Sequence, residues 1–145
     1  MTVDLHEAPL RVGAGEVLAW LVLPPASLAL TFHLALGHRP DWLGHFLAGF
    51  GASLLLILAA LRITGGRPGT ALAATLLATG LGWLAERSVF ALAGPDPMDF
   101  HAQTLGAGAA GLALLMGRAE RTPPLPCLLL ALVTVVLGGV FAFLA

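Results

Sequence analysis

The sequence has no lysine, a single cysteine, and charged side chains at only 10% of its 145 residues. Soluble domains carry about 25% charged residues, so this composition excludes an ordinary soluble domain. Without lysine, and with a net charge of -1, the chain has no basic patch of the kind that binds phosphates, which argues against nucleic acid as a partner. Cys127 cannot form an intramolecular disulfide, and its apolar neighbours predict a small buried hydrophobic residue.

Hydrophobic residues make up 58% of the chain, and the mean hydropathy is +0.92. A membrane-spanning helix needs about 20 mainly apolar residues. Five stretches fit, separated by short segments rich in proline and glycine that force successive helices to be antiparallel neighbours. The predicted fold is an all-α polytopic membrane helix bundle, a single domain over residues 1–145, with about five transmembrane helices: Val17–Leu36, Trp42–Leu61, Thr70–Ala93, Phe100–Gly117 and Leu125–Leu144.

The arginines predict the orientation, because short cytoplasmic loops carry most of the positive charge. With the N-terminus in the cytoplasm, Arg39 alone faces outward, while Arg87 lies within a helix. The N-terminus lacks the basic region of a secretory signal, so the first apolar run is predicted to be retained as a helix. The predicted location is therefore the bacterial inner (plasma) membrane, with five arginines on the cytoplasmic side: Arg11, Arg62, Arg67, Arg118 and Arg121.

Proline and small residues predict local features of the helices. Pro24 and Pro25 predict an interruption of the first helix, and bends of this kind can open a cavity. The run Gly106–Gly111 matches the G-x-G-x-x-G pattern of dinucleotide sites, but no strand precedes it, so it is predicted to be a close-packing helix face. Close helix packing is also predicted at Gly44, Ala48, Ala52, Gly80 and Gly82.

Asp41 and His45 lie four residues apart and therefore share a helix face. A carboxylate that accepts a hydrogen bond from an imidazole fixes the ring's tautomer, which suits a general base or a metal-ligating histidine. In the alternative, Asp41 caps the N-terminus of the helix, where the helix dipole favours a negative charge, and His45 lies at the level of the lipid headgroups.

Glu86 is predicted to lie about two turns inside the third helix, where a carboxylate needs a partner. Thr75, Thr79 and Gly82 precede it on the same face, which predicts that this face points into the bundle. Arg87 points elsewhere and is expected to extend outward or to reach Asp96 or Asp99. A buried ion pair that holds helices together is the structural alternative for Glu86.

Asp99 and His101 stand at the entry to the fourth helix, where Asp99 shares a face with Gln103. Asp96 is predicted to be a turn or capping residue. The predicted topology brings the polar residues of three helices to the outer side of the membrane, together with His33 and His38.

The order of these residues resembles the YjdF and VanZ-like groups of small bacterial inner-membrane proteins. The resemblance covers roughly residues 41–115 and rests on Asp41-x-x-x-His45-Phe, Glu86 in a later helix, and Asp96-x-x-Asp99 before a glycine-containing helix. It implies a polytopic membrane protein, linked in some members to glycopeptide tolerance, with no settled reaction. Arg87 replaces a second acidic residue often found near the Glu, and Gln103 is the nearest amide to the usual asparagine.

The leading hypothesis is a polar pocket near the outer face, built from Asp41, His45, Glu86, Asp99 and His101, that binds a metal ion or a lipid headgroup. If it is catalytic, His45 oriented by Asp41 is the base and Glu86 the acid, acting on a lipid-linked phosphate or ester. The second hypothesis is a non-catalytic subunit or assembly factor whose polar residues tie helices together, within a homo-oligomer or a larger membrane complex.

A third hypothesis is a haem-binding electron carrier that uses His33, His45 or His101. The sequence leaves open whether the protein is an enzyme, and it identifies neither a metal nor a cofactor.

Overall fold

The computed structural model describes residues 18–35, 39–67, 69–88, 94, 96–116 and 125–144, which form five α-helices and no strand. The all-α prediction is therefore confirmed for this part of the chain. Several residues used in the sequence predictions lie outside it: Arg11, Val17, Leu36, His38, Ala93, Gly117, Arg118 and Arg121.

The first helix changes its geometry at the two prolines. A π-helical segment, Leu18–Val22, leads into helix α1, Leu23–Ala35, whose first turn contains Pro24 and Pro25. Proline has no backbone N–H, so the first turn of α1 lacks two hydrogen-bond donors. The π-helical segment ends just ahead of these prolines. A groove of about 330 Å³ lies beside the prolines, with Thr104, Gly108 and Leu112 on its other side.

The other helices are α2, Pro40–Thr64; α3, Thr70–Ser88; α4, Pro97–Met116; and α5, Leu125–Leu144. The bounds of α5 agree with the prediction. Helix α2 begins two residues early because Pro40 occupies its first turn, where a missing N–H costs nothing. Helix α4 begins three residues early because the Asp96 carboxylate accepts a hydrogen bond from the Met98 N–H at 2.8 Å, which confirms the predicted capping role.

A glycine-rich turn joins α2 to α3. Gly65 ends α2 with a φ of 67°, and Gly69 precedes α3 with a φ of 83°. Side chains with a Cβ rarely adopt this backbone conformation, so glycine allows the chain to reverse within a few residues. The hydroxyl oxygens of Thr64 and Thr70 lie 3.1 Å apart across the turn.

Helix α2 lies at the centre of the bundle and contacts the four other helices. Phe46, Phe50, Leu54 and Ile57 on α2 are almost fully buried. The neighbouring helices add mostly small side chains to the core, among them Ala74, Ala110, Cys127 and Ala131. The burial of Cys127 confirms its prediction as a small hydrophobic residue. Large residues on one helix and small ones on its neighbours let the helices approach α2 closely.

Glycine sets the closest approach, between α2 and α5. A Cβ added to Gly44 would lie 2.8 Å from Ala142 Cα, and one added to Gly138 would lie 2.8 Å from Ala48 Cα. Since real Cβ atoms do not come this close to backbone atoms, both positions admit only glycine at this spacing. The pairing of 44 with 142 and of 48 with 138 also shows that α2 and α5 are antiparallel.

The other predicted packing positions divide into two groups. Gly82, Gly106 and Gly111 are buried against neighbouring helices, whereas Ala52 is exposed and Gly80 and Gly108 face open space. The G-x-G-x-x-G run is thus a packing face at its first and last glycines, as predicted. The predictions for Ala52 and Gly80 are wrong, because spacing alone does not say which side of a helix meets a neighbour.

Two of the described helices are long and apolar enough to cross a membrane by length and composition. These are α2, with a mean hydropathy of 2.1, and α5 from Leu125 to Phe143, with a mean hydropathy of 2.5. Half of the α2 window is buried inside the bundle, but only 22% of the α5 window is. The apolar surface of α5 is therefore mostly turned away from the other described helices.

Neighbouring glycines on α5 provide a test of this packing. We expect Gly138→Ala to lower the free energy of unfolding by about 1–3 kcal/mol, because its Cβ would overlap the α2 backbone. Gly139→Ala, whose Cβ meets open space, should be neutral or stabilising by up to about 1 kcal/mol through helix propensity. Unfolding in mixed micelles followed by circular dichroism measures both, and equal effects would contradict the close contact between α2 and α5.

Candidate functional site

The outermost polar group at the beginning of α2 is an ion-paired cluster, here called the Arg39 cluster, formed by Arg39, Asp41 and Asp96. The Arg39 guanidinium donates to Asp41 through Nε at 3.0 Å and through Nη2 at 2.6 Å, and Nη2 also reaches Asp96 at 3.3 Å. The guanidinium stacks on the Trp42 ring, 4.5 Å from its centre. The cluster joins the residue ahead of α2 to the residue ahead of α4.

The Arg39 cluster is open to solvent. The side chains of Arg39, Asp41 and Asp96 are 45%, 28% and 35% exposed. The hydrogen bond that Arg39 donates to Asp41, and to a lesser extent the one it donates to Asp96, raises the pKa of Arg39 above its ordinary value. The guanidinium therefore stays charged, and its donors already bind two carboxylates.

Deeper in the bundle, His45 lies between two carboxylates. Its Nδ1 is 3.7 Å from Glu86 Oε1, and its Nε2 is 3.5 Å from Asp99 Oδ2. Both distances are longer than those of direct hydrogen bonds. The three residues, here called the His45 cluster, come from α2, α3 and α4, so one side chain from each helix meets at this point.

Burial increases from the Arg39 cluster to Glu86. The side chains of Asp99 and His45 are 19% and 16% exposed, and that of Glu86 is only 7% exposed. Glu86 Oε1 and Asp99 Oδ1 are buried and have no hydrogen-bond partner among the residues that the structure describes. Buried acceptors without a donor are unfavourable, so these two oxygens favour a bound proton or a bound donor group.

The convergence of three helices depends on glycines one turn deeper. Gln103 follows Asp99 by one turn, and a Cβ added to Gly82 would lie 2.7 Å from Gln103 Cδ. On the other side, a Cβ added to Gly49 would lie 2.9 Å from Gln103 Cα. Since Gly82 precedes Glu86 by one turn and Gly49 follows His45 by one turn, these close approaches bring the three ionisable groups together.

The structure therefore brings together His45, Glu86 and Asp99 from the predicted set. The inward direction of the helix face that carries Glu86 agrees with the prediction, since Gly82 and Glu86 are both buried. Gln103, which the sequence placed on the face of Asp99, lies directly beneath the cluster.

Asp41 and His101 are placed differently from expectation. The expected contact from Asp41 to His45 is replaced by contacts from Glu86 and Asp99, because Arg39 binds both oxygens of Asp41. His101 is exposed, and its Nδ1 donates to the Pro97 carbonyl one turn earlier. Neither side chain belongs to the His45 cluster.

Arg87 extends outward, which is one of the two predicted alternatives for this residue. Its guanidinium lies 4.7 Å from the centre of the Trp83 ring, and both residues are exposed. Asp96 is bound instead by Arg39, which was predicted only to face the outer side of the membrane. The Arg39-Pro40-Asp41 sequence was the available signal, because the proline fixes a short bend that lets the two side chains meet.

Among the residues that the structure describes, no group of three or more His, Cys, Asp or Glu side chains could hold a metal ion. Each ring nitrogen of His45 has a carboxylate oxygen within 4 Å, Glu86 Oε1 at Nδ1 and Asp99 Oδ2 at Nε2.

No protein-family model, curated protein or solved structure matches this chain. The resemblance to the YjdF and VanZ-like groups therefore stays a prediction based on the quoted residues.

The pairing within the His45 cluster predicts a large difference between two histidines. We expect His45→Ala to reduce the free energy of unfolding by about 1–3 kcal/mol, because it leaves the buried Glu86 carboxyl group without its imidazole partner. His101→Ala, which removes an exposed ring, should change it by no more than about 0.5 kcal/mol. Both values come from unfolding in mixed micelles, and a cost for His101→Ala as large as that for His45→Ala would argue against the cluster.

Proposed function

We propose that the protein is a multi-pass bacterial inner-membrane protein with five crossings, whose His45 cluster lies near the outer face and binds a lipid headgroup. Support for the membrane comes from the surface of the bundle. Large apolar side chains are exposed on several helices, for example Leu34 at 72%, Leu76 at 65% and Phe143 at 69%. Soluble monomers rarely expose so much apolar surface, whereas lipid covers it without cost.

The proposal of five crossings rests on packing and connectivity. Helices α3 and α4 pack against α2, the long apolar helix, and α3 and α4 contact each other near both ends, at Gly82 with Gln103 and at Thr75 with Gly111. The tight turn after Gly65 makes α3 antiparallel to α2. If α2 crosses the bilayer, the helices that pack along it lie at the same depth.

The proposed orientation places Arg62 and Arg67, at the far end of α2, in the cytoplasm. The Arg39 cluster then faces the outside, and the His45 cluster lies one to two turns below it. At this depth, carboxylates and imidazoles meet the headgroups of the outer leaflet.

The observation that carries the proposed binding role is the pair of buried, unpartnered oxygens, Glu86 Oε1 and Asp99 Oδ1. Both oxygens can accept a hydrogen bond, and the side chains of Asp99 and His45 are partly exposed. We place binding ahead of catalysis. The adjacent acid and base that the sequence suggested are both in the cluster, but His45 has a carboxylate at each ring nitrogen, and a base needs one nitrogen directed at its substrate.

A second candidate is a purely structural role, in which the cluster only ties helices together. The observation that favours it is that His45, Glu86 and Asp99 each come from a different helix. Ion pairs of this kind fix which helices are neighbours and in which register, without any ligand.

The proposed topology predicts which turns are labelled from outside the cell. With Cys127 replaced by alanine, a cysteine at Gly94, ahead of α4, should react with a membrane-impermeant maleimide in intact spheroplasts. A cysteine at Gly66, in the turn after α2, should react only after lysis. Labelling of both positions in intact spheroplasts would contradict the proposed crossings.

The headgroup role predicts a loss of bound lipid without a loss of fold. The Glu86→Gln protein should keep less than a third of the co-purified lipid of the wild type in native mass spectrometry, since a neutral amide accepts more weakly. Ser88→Ala, on the same helix but exposed, is the control and should keep all of it. Unchanged lipid retention in both Glu86→Gln and His45→Ala, together with lower bundle stability, would support the structural role instead.

A further inference from the structure

The two clusters together carry more negative than positive groups. Four carboxylates, those of Asp41, Asp96, Glu86 and Asp99, share one guanidinium and one imidazole. With all four carboxylates ionised and His45 protonated, two negative charges have no counter-charge among these residues. In a partly buried place such charges are costly, so the site gains from a further positive group.

The uncompensated negative charge lies in the His45 cluster rather than in the Arg39 cluster. Arg39 donates to both of its carboxylates, and these are solvent-exposed. Glu86, by contrast, has a side chain that is 93% buried, and its Oε1 has no hydrogen-bond partner in the described part of the chain. Asp99 Oδ1 is likewise buried and unpartnered, on the oxygen that does not face His45.

These features select a class of ligand. Phosphate and sulfate are excluded by the excess of carboxylates and by the occupation of the only guanidinium in the two clusters. Hydroxyl groups could donate to the free oxygens but would not compensate the charge. A primary ammonium does both, because it carries one positive charge and three donors and no acceptor.

We propose that the His45 cluster binds a primary ammonium group, that of an aminoethyl lipid headgroup, with Glu86 and Asp99 as the accepting carboxylates. This inference rests on the proposed function and names the ligand chemistry for the same site. The proposed ligand carries N–H donors as well as a positive charge.

Three lipids separate these contributions. Phosphatidylethanolamine carries a primary ammonium, phosphatidylcholine carries the same charge without an N–H, and phosphatidylglycerol carries hydroxyls without the positive charge. We expect the purified protein in micelles to bind phosphatidylethanolamine about tenfold more tightly than the other two in native mass spectrometry, as a charge-assisted hydrogen bond implies. Glu86→Gln and Asp99→Asn should each remove most of this preference, and Ser88→Ala should leave it unchanged.

Each other outcome contradicts a different part of the argument. Equal binding of the three lipids, reduced alike by Glu86→Gln and by Asp99→Asn, would overturn the ammonium inference and leave the headgroup site in place. Binding that none of these substitutions changes, in variants whose circular dichroism matches the wild type, would overturn the headgroup site as well.

Ethanolamine alone tests the source of the ammonium group. If it fails to displace phosphatidylethanolamine at millimolar concentration, the result supports the lipid headgroup. If it displaces the lipid completely at concentrations similar to that of the lipid, a soluble amine is the ligand, and the headgroup role is overturned while the ammonium chemistry is supported.

Discussion

The arrangement of the central helices depends on a carboxylate held away from water, Glu86. A buried carboxylate needs a partner, and the nearest one in the structure is the imidazole of His45 at 3.7 Å. Since His45 is on α2 and Glu86 on α3, this need fixes how the two helices face one another. Asp99 adds the third helix from the other side of the ring.

The glycines make this electrostatic arrangement possible. A contact between side chains of ordinary length requires the helix backbones to be close. A Cβ at Gly49 would keep α4 away from α2, and a Cβ at Gly82 would displace the Gln103 side chain that lies beneath the cluster. Packing and electrostatics therefore depend on the same few positions. This explains why a chain with so few charged residues places three ionisable groups directly beside small residues.

The helices were largely predictable from the sequence, and the contacts between their side chains were not. Apolar runs bounded by proline and glycine gave α5 its observed bounds, and the starts of α2 and α4 differed only because proline and a capping aspartate extend a first turn. The inward direction of Glu86 followed from helical spacing. The partner of Asp41 did not, because a shared helix face says nothing about competition from a side chain in the preceding bend, where Arg39 lies.

The short reversal between α2 and α3 has a consequence for biogenesis. Helix α3 carries Glu86 and Arg87, so it is a poor candidate for entering a bilayer alone. Gly65 and Gly69 let it fold back at once on the much more apolar α2, with Thr64 and Thr70 in contact at the bend. On the proposed membrane topology, the two segments would leave the translocon as one helical hairpin, with the acid already shielded by its neighbour as it enters.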